Sequence, residues 1–482
     1  MTINSLIILG LTFMLADTCF IVFKKNPLVL ATCLIFFLPL DNLCLQIGAV
    51  KLRFAEIFGI IFFILIVLYK YQKKIPFPPG FGVLVALIIF GICVVFLRFD
   101  ELSKGLQMEV HIAFLAITAY VIYWLFLRIP NYQQAEDVVI QVVVFFLFIG
   151  LIQFCVYYLT GVILGYDGEY DLGGGSKVLF YSWSAEPGLG VAAMEDAPWF
   201  RAASLFRESV CLGMLGTWFF AVSIFRFLSR PEKTWLWRLL LAGAIVIISA
   251  SRAAMLACLV SVVTTIFFLA PRQRLRTLLM TLVLLLAIFS TGLMVGHGVG
   301  ELFQGRLDES YAEKDIRWIM YLAQIEGFLQ HPLMGNSPGS TEALIRMTVP
   351  ETWEPETIPT GGYSTFLTLL HDEGLVGLGL FLAFIFKIFQ EAKKISTMNQ
   401  FGLPPRGISF FNGLLAMLVW SIFSPGLGMG LFWFGVALAW AFIQKDCLLL
   451  ETCRSQEEPH LEDSHDRRPG HPGTVVLRPS AM

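Results

Sequence analysis

Charged residues are scarce in this sequence. They make up 15% of its 482 residues against 57% hydrophobic ones, and the mean hydropathy is +0.73. Soluble domains carry about 25% charge and keep their apolar runs short, so water is excluded as the solvent for most of this surface. The charge that is present nearly balances, with a net of -2 and a pI near 6.4. Basic residues sit in short connections and form no stripe, which excludes nucleic acid as a partner. Cysteine is missing from the longer polar segments. Cys19, Cys33, Cys44, Cys93, Cys155, Cys211 and Cys258 lie in or beside apolar stretches, and Cys447 and Cys453 near the C-terminus, so no disulfide or zinc framework is written here. The chain has no Walker A phosphate loop, which speaks against an ATP-driven pump. It has no G-x-S-x-G elbow, H-E-x-x-H helix or Cys/His metal cluster either. An energy-independent enzyme that uses an already activated substrate fits these absences. No internal repeat of fixed period appears, which weighs against transporters built on repeats.

Apolar stretches are abundant, with 44 Phe among them. Runs of about 20 residues cross a hydrocarbon core roughly 30 Å thick as helices, and their continuity excludes barrel strands. Spans are expected near 4–23, 28–45, 55–70, 82–98, 106–127, 138–163, 203–225, 236–250, 253–270, 277–295, 374–390, 407–423 and 427–444. That is 12–13 transmembrane helices in an all-α polytopic membrane protein, twelve if the N-terminal pair is partly re-entrant. The first stretch lacks a basic n-region and a cleavage site, so it reads as a retained span. Connections after alternate spans carry Lys24 and Lys25; Lys70, Lys73 and Lys74; Arg128; Arg226, Arg230, Lys233 and Arg238; Arg272, Arg274 and Arg276; and Lys387, Lys393 and Lys394. By the positive-inside rule these face the cytoplasm, which puts the N-terminus and the two long segments 164–202 and 296–363 outside. The organisation expected is therefore 1–202, N-terminal helices with the first outer loop; 203–295, central helices; 296–363, the large outer loop; 364–446, C-terminal helices; and 447–482, a disordered cytoplasmic tail rich in polar residues.

Cations at the outer boundary are the most informative residues. Arg252 sits in SASRAAML between two spans, Arg201 opens RAASLFRES, and Arg207 follows it inside the apolar segment. A cation in or near a bilayer costs at least a few kcal/mol, so such residues pair or bind anions, and a guanidinium fork suits phosphate oxygens. Snorkelling anchors or structural ion pairs are the bland alternative. Glu208, beside Arg207, is a carboxylate at membrane depth that serves either as a general base or as a counter-ion. In the large loop, Arg306, Arg317 and Arg346 accompany Glu309, Asp315, Glu326 and Glu342, and solvated loop charge is the default for each. A helix is expected over Ile316–Leu329, with Ile319, Leu322, Ala323, Ile325 and Phe328 as one apolar face that folds back on the membrane domain. His331 precedes a turn made by Pro332 and Gly335, and His371 lies in FLTLLHDEGLVGL; a lone His is more often structural than catalytic.

RAASLFRES, SASRAAML, RWIMYLAQIEGFLQHPLMGNSPG and YSTFLTLLHDEGLVGLGLF resemble, in order and spacing, the Wzy and O-antigen ligase superfamily, over roughly Phe200 to Phe389. The resemblance implies an inverting, metal-independent glycosyltransferase of the bacterial inner membrane with no cofactor. Such enzymes move a glycan from an undecaprenyl-diphosphate donor to an acceptor sugar hydroxyl at the periplasmic face. Carried onto matching positions, Arg252 and Arg317 hold the diphosphate and Arg201 assists, while Arg306, His331, Arg346 and Tyr363 belong to the substrate-binding periplasmic loop. Implied partners are the lipid-linked donor and acceptor, membrane lipid, and a chain-length regulator or export proteins. Ligases typically carry a His-Asn pair before the helix that follows the loop; here Tyr363 and Ser364 stand there. That favours a repeat-unit polymerase for O-antigen, capsule or exopolysaccharide over a ligase, and leaves Glu208, His371 and Glu373 as candidates for the base. A transporter or flippase for an anionic substrate is the reading of another class.

Overall fold

The structure, a computed structural model, describes residues 26–40, 43–47, 50–68, 76–98, 102–160, 167–173, 176–181, 204–206, 209–249, 251–268, 316–341, 344, 364–396, 406–424 and 426–457. Among them are twelve helices: α1 Pro27–Phe37, α2 Phe54–Leu68, α3 Phe81–Arg98, α4 Leu102–Arg128, α5 Tyr132–Thr160, α6 Ser209–Ser229, α7 Lys233–Ile248, α8 Arg252–Phe268, α9 Ile316–Gln330, α10 Thr365–Ile395, α11 Arg406–Ser421 and α12 Gly430–Glu457. Among the described residues six segments are long and apolar enough to cross a membrane: Phe81–Arg98, Leu102–Arg128, Tyr132–Thr160, Val210–Ser229, Thr365–Ile395 and Gly430–Thr452. Shorter apolar helices stand beside them. The chain is thus an all-α polytopic membrane protein through its body. The spans expected at 4–23 and 277–295 lie outside the described residues.

Two local expectations are corrected. The span expected over 28–45 is a helix of 11 residues, about 17 Å long and too short to cross, followed by a strand. Pro39 stops it: Leu38 still has helical backbone and donates to Leu34 O at 2.9 Å, but Pro39 has no N–H to continue the ladder. At the other end, helix continues past 446 to Glu457, since CLLLETCRSQE consists largely of good helix formers and has no Gly or Pro. The rest of the tail lies outside the described residues.

A small sheet is the element that sequence patterning missed. Strands β1 Leu43–Ile47, β2 Val50–Arg53, β3 Asp167–Gly173 and β4 Ser176–Tyr181 form one antiparallel sheet in the order β2-β1-β4-β3. Leu43 faces Phe180 and Ile47 faces Ser176 across β1 and β4. This pairing puts the connection before α2 and the segment after α5 at one end of the helices. We call it the sheet end.

The helices pack on large buried aromatics, among them Trp218, Trp420, Trp433 and Trp440. Polar contacts bridge them within the apolar body: Asn412 Nδ2 donates to Ala221 O and to Thr265 Oγ1, each at 2.9 Å, joining α6, α8 and α11. Such bonds contribute about 0.6–2 kcal/mol in a bilayer. The end opposite the sheet carries a buried charged knot. Glu136 of α5 meets Arg226 of α6 and Arg406 of α11, both at 3.1 Å. Tyr132 donates to Asp446 at 2.7 Å, Asp446 accepts from Gly407 N at 2.7 Å, and Lys445 donates to Ile129 O at 2.6 Å. These bonds fix how α5, α6, α11 and α12 converge, and leave the sheet end to be shaped by other elements.

Candidate functional site

At the sheet end, α9 descends beside the first half of α10 and ends where Pro332 removes a backbone donor. The turn 331–341, HPLMGNSPGST, then packs into a break in α10. Ser364 caps α10 by accepting from Leu367 N at 3.4 Å, and the helix runs regularly until Gly374, whose φ of 70 and ψ of -163 interrupt it. An interrupted helix leaves backbone groups without partners, which is costly away from water. The turn supplies them. Asn336 N donates to His371 O at 2.8 Å and Ser337 N to Asp372 O at 3.0 Å, while Leu375 N donates to Pro332 O at 2.9 Å and Val376 N to Leu333 O at 3.2 Å. The backbones approach so closely that a Cβ on Gly335 would lie 2.4 Å from Asp372 O, and one on Gly374 2.4 Å from Leu333 O. Both positions also have positive φ, so glycine is required twice over.

Asp372 holds the far side of the turn. Its carboxylate accepts from Gly339 N at 3.0 Å, Ser340 Oγ at 3.2 Å and Thr341 Oγ1 at 2.7 Å, and meets His371 Nδ1 at 2.7 Å. His371 is buried, and its other edge abuts Gly327 of α9, where a Cβ would come within 2.6 Å of Nε2. Asp372 holds Nδ1, and Nε2 lies on the Gly327 side, an arrangement that fixes the ring between α9 and α10.

Glu373 and Glu109 behave differently. Both are buried, at 4% and 2% exposure, yet Glu373 Oε2 and Glu109 Oε1 have no hydrogen-bond partner among the described residues. Glu109 comes from α4 and lies within electrostatic range of both Asp372 and Glu373. Gly91 of α3 makes room for it, since a Cβ there would lie 2.5 Å from the Glu109 carboxyl carbon. Three carboxyls thus gather at the break in α10, one fully engaged and two with an oxygen in reserve. An unpartnered buried carboxyl is the type of group that takes up a proton from, or grips, an incoming hydroxyl. Nearby, Gln324 of α9 donates to Thr368 at 3.2 Å and keeps its buried Oε1 unpartnered. At the same end His111 of α4 reaches the buried Glu56 of α2, and its Nε2 lies 3.3 Å from Gly428 O.

Of the residues singled out in the sequence, Arg252 is the first residue of α8, four residues after α7 ends, and Arg317 is the second residue of α9. His331 opens the turn, its N donating to Phe328 O at 3.0 Å, and is half-buried. Arg201, Glu208, Arg306, Arg346 and Tyr363 lie outside the described residues. The residue missed was Glu109. Its signal was available, because an ionisable residue inside an apolar helical run is itself a marker of function. No curated protein matches the chain. Residues 237–382, which carry Arg252, Arg317, the turn and the break in α10, match the family model Wzy_C, described as O-antigen ligase, in agreement with the superfamily that the motifs resemble.

Proposed function

We propose that this protein polymerises undecaprenyl-diphosphate-linked oligosaccharide repeat units by inverting glycosyl transfer at the periplasmic face of the bacterial inner membrane. The coarser statement, a multi-pass membrane protein of the O-antigen ligase and polymerase type that processes glycans, follows from its helices and its family match. The finer one is carried by a single observation. Where a ligase has its His-Asn pair, this chain has Tyr363 and Ser364, and Ser364 serves as the N-cap of α10.

In this reading Arg252 and Arg317, with Arg201 assisting, hold the donor diphosphate and neutralise the charge that grows on it as it leaves. The acceptor hydroxyl oxygen bonds to the anomeric carbon of the donor glycan as the bond from that carbon to the diphosphate oxygen breaks. The hydroxyl proton passes to a carboxylate, and undecaprenyl diphosphate departs with the electron pair. Glu373 supported by Glu109 supplies that carboxylate, because each keeps a buried oxygen unengaged. The metal-independent character and the side of the membrane come from the family resemblance. A transporter reading is less favoured, since the carboxyls gather at one end of the helices.

The experiment is deletion of the gene in its host and inspection of the surface glycan. Single capped repeats without polymer are expected. Free polymer accumulating on the lipid carrier would overturn the polymerase reading in favour of a ligase, the activity that the matched family's description prints.

A further inference from the structure

Helix α9 faces the wrong way for a segment bathed in water. The side it buries is Met320, Ala323, Gln324 and Gly327, at i, i+3, i+4 and i+7, in which Met320 is the one large apolar residue. Three other large apolar residues point outward. Leu322 is 53% exposed, Ile325 is also exposed, and Leu329 is 68% exposed, and the row runs on into the turn at Leu333, 65% exposed, and Met334. Glu326 and Gln330 lie along one flank. A soluble helix inverts this arrangement. Membrane helices meet through small and polar residues and show their large apolar ones to lipid.

Two further observations identify what lies against this face. First, it is continuous with the outer surface of a membrane span. The bonds from Leu375 N to Pro332 O and from Val376 N to Leu333 O set the turn directly against α10, whose Leu375, Val376, Leu382 and Phe386 are exposed in the same way. Second, the depth fits. About 20 helical residues cross the hydrocarbon; counted back from Phe386, the last residue before the basic Lys387, they reach Leu367. Leu333 is bonded beyond that point, at Val376, and so lies below the hydrocarbon boundary. At this depth the turn's carbonyls and N–H groups need protein partners, and the break in α10 provides them.

We infer that α9 and the turn after it are a re-entrant element of the bilayer, with the face formed by Leu322, Ile325, Leu329 and Leu333 in contact with lipid acyl chains. The turn is then held from one side by α10 and from the other by lipid. This assignment is independent of the reaction catalysed. The test is photolabelling of the full chain in vesicles of phosphatidylethanolamine and phosphatidylglycerol that contain a phospholipid with a diazirine in mid-chain, read by peptide mass spectrometry. Adducts on the peptide holding Leu322 to Leu333 are expected, at a yield within about threefold of those on the peptide holding Leu375 to Phe386, since both faces meet the same chains. Labelling of the α10 peptide with none on α9 would overturn the assignment. So would α9 adducts that vanish when a polyprenyl diphosphate is added, because the face would then be the seat of the substrate's tail. The labelling needs no variant, so misfolding does not confuse it.

Discussion

Removing the Asp372 carboxylate should detach the turn 331–341 from α10. In Asp372→Ala, the Gly339 N–H and the buried Thr341 hydroxyl lose their acceptor, and Ser340 loses a weaker one. A buried donor left unmade costs about 1–3 kcal/mol, so two of them predict a loss of about 2–6 kcal/mol in the stability of this junction. Asp372→Asn keeps one carbonyl oxygen for Thr341 but turns an amide toward the remaining donor; with the charge assistance gone it should lose about 1–3 kcal/mol. The order wild type, Asn, Ala follows. The assay is limited chymotrypsin digestion of the purified protein in detergent, which cuts at Leu333 and Met334 when the turn opens, alongside thermal unfolding followed by size-exclusion chromatography. Cleavage should rise and the unfolding temperature fall in that order. If Asp372→Ala matches wild type in both measurements, the carboxylate does not hold the turn and the description of the junction is wrong.

Glu373→Gln is close to isosteric and should leave protein abundance unchanged while lowering polymer formation by about 10²–10⁴, the usual contribution of a general base; Glu109→Gln should act in the same direction, and wild-type ladders from both would remove the pair from the chemistry. Arg252→Lys and Arg317→Lys should each lower polymer formation at normal expression, because a point charge does not replace a bidentate fork; full activity in both would refute the diphosphate clamp. At the opposite end, Glu136→Gln removes the partner shared by Arg226 and Arg406 and should destabilise the protein by about 3–5 kcal/mol, seen as a lower unfolding temperature in detergent. An unchanged unfolding temperature would show that the knot is solvated.

Much of the architecture was legible from hydropathy alone. Long apolar runs in a chain with so little charge require helices in a bilayer, and the alternation of basic connections assigns each helix its ends. The pairing of β1 with β4 agrees with that alternation, since both strands come from connections expected outside. The motifs around Arg252, Arg317 and the break in α10 were likewise readable, because their residues are close in sequence. The sheet was not, since its pairing joins segments far apart along the chain and strands of four to seven residues carry a weak pattern.

What only the tertiary structure decided is which residues meet and which way they face. Glu109 and Glu373 come from different helices, and no local spacing announces that they share a site. That Asp372 and Gly327 flank the two edges of His371 is likewise not written in its local sequence. The apolar face of α9 was misassigned for a deeper reason. Leu322 and Ile325, expected to pack inward, point outward, while Gln324 and Gly327 pack against α10. In water, periodicity marks the buried side because one surrounding is apolar and the other is not. In a bilayer both the protein interior and the lipid are apolar, so the pattern of hydrophobic residues loses that meaning and side-chain size and hydrogen bonding decide the face instead.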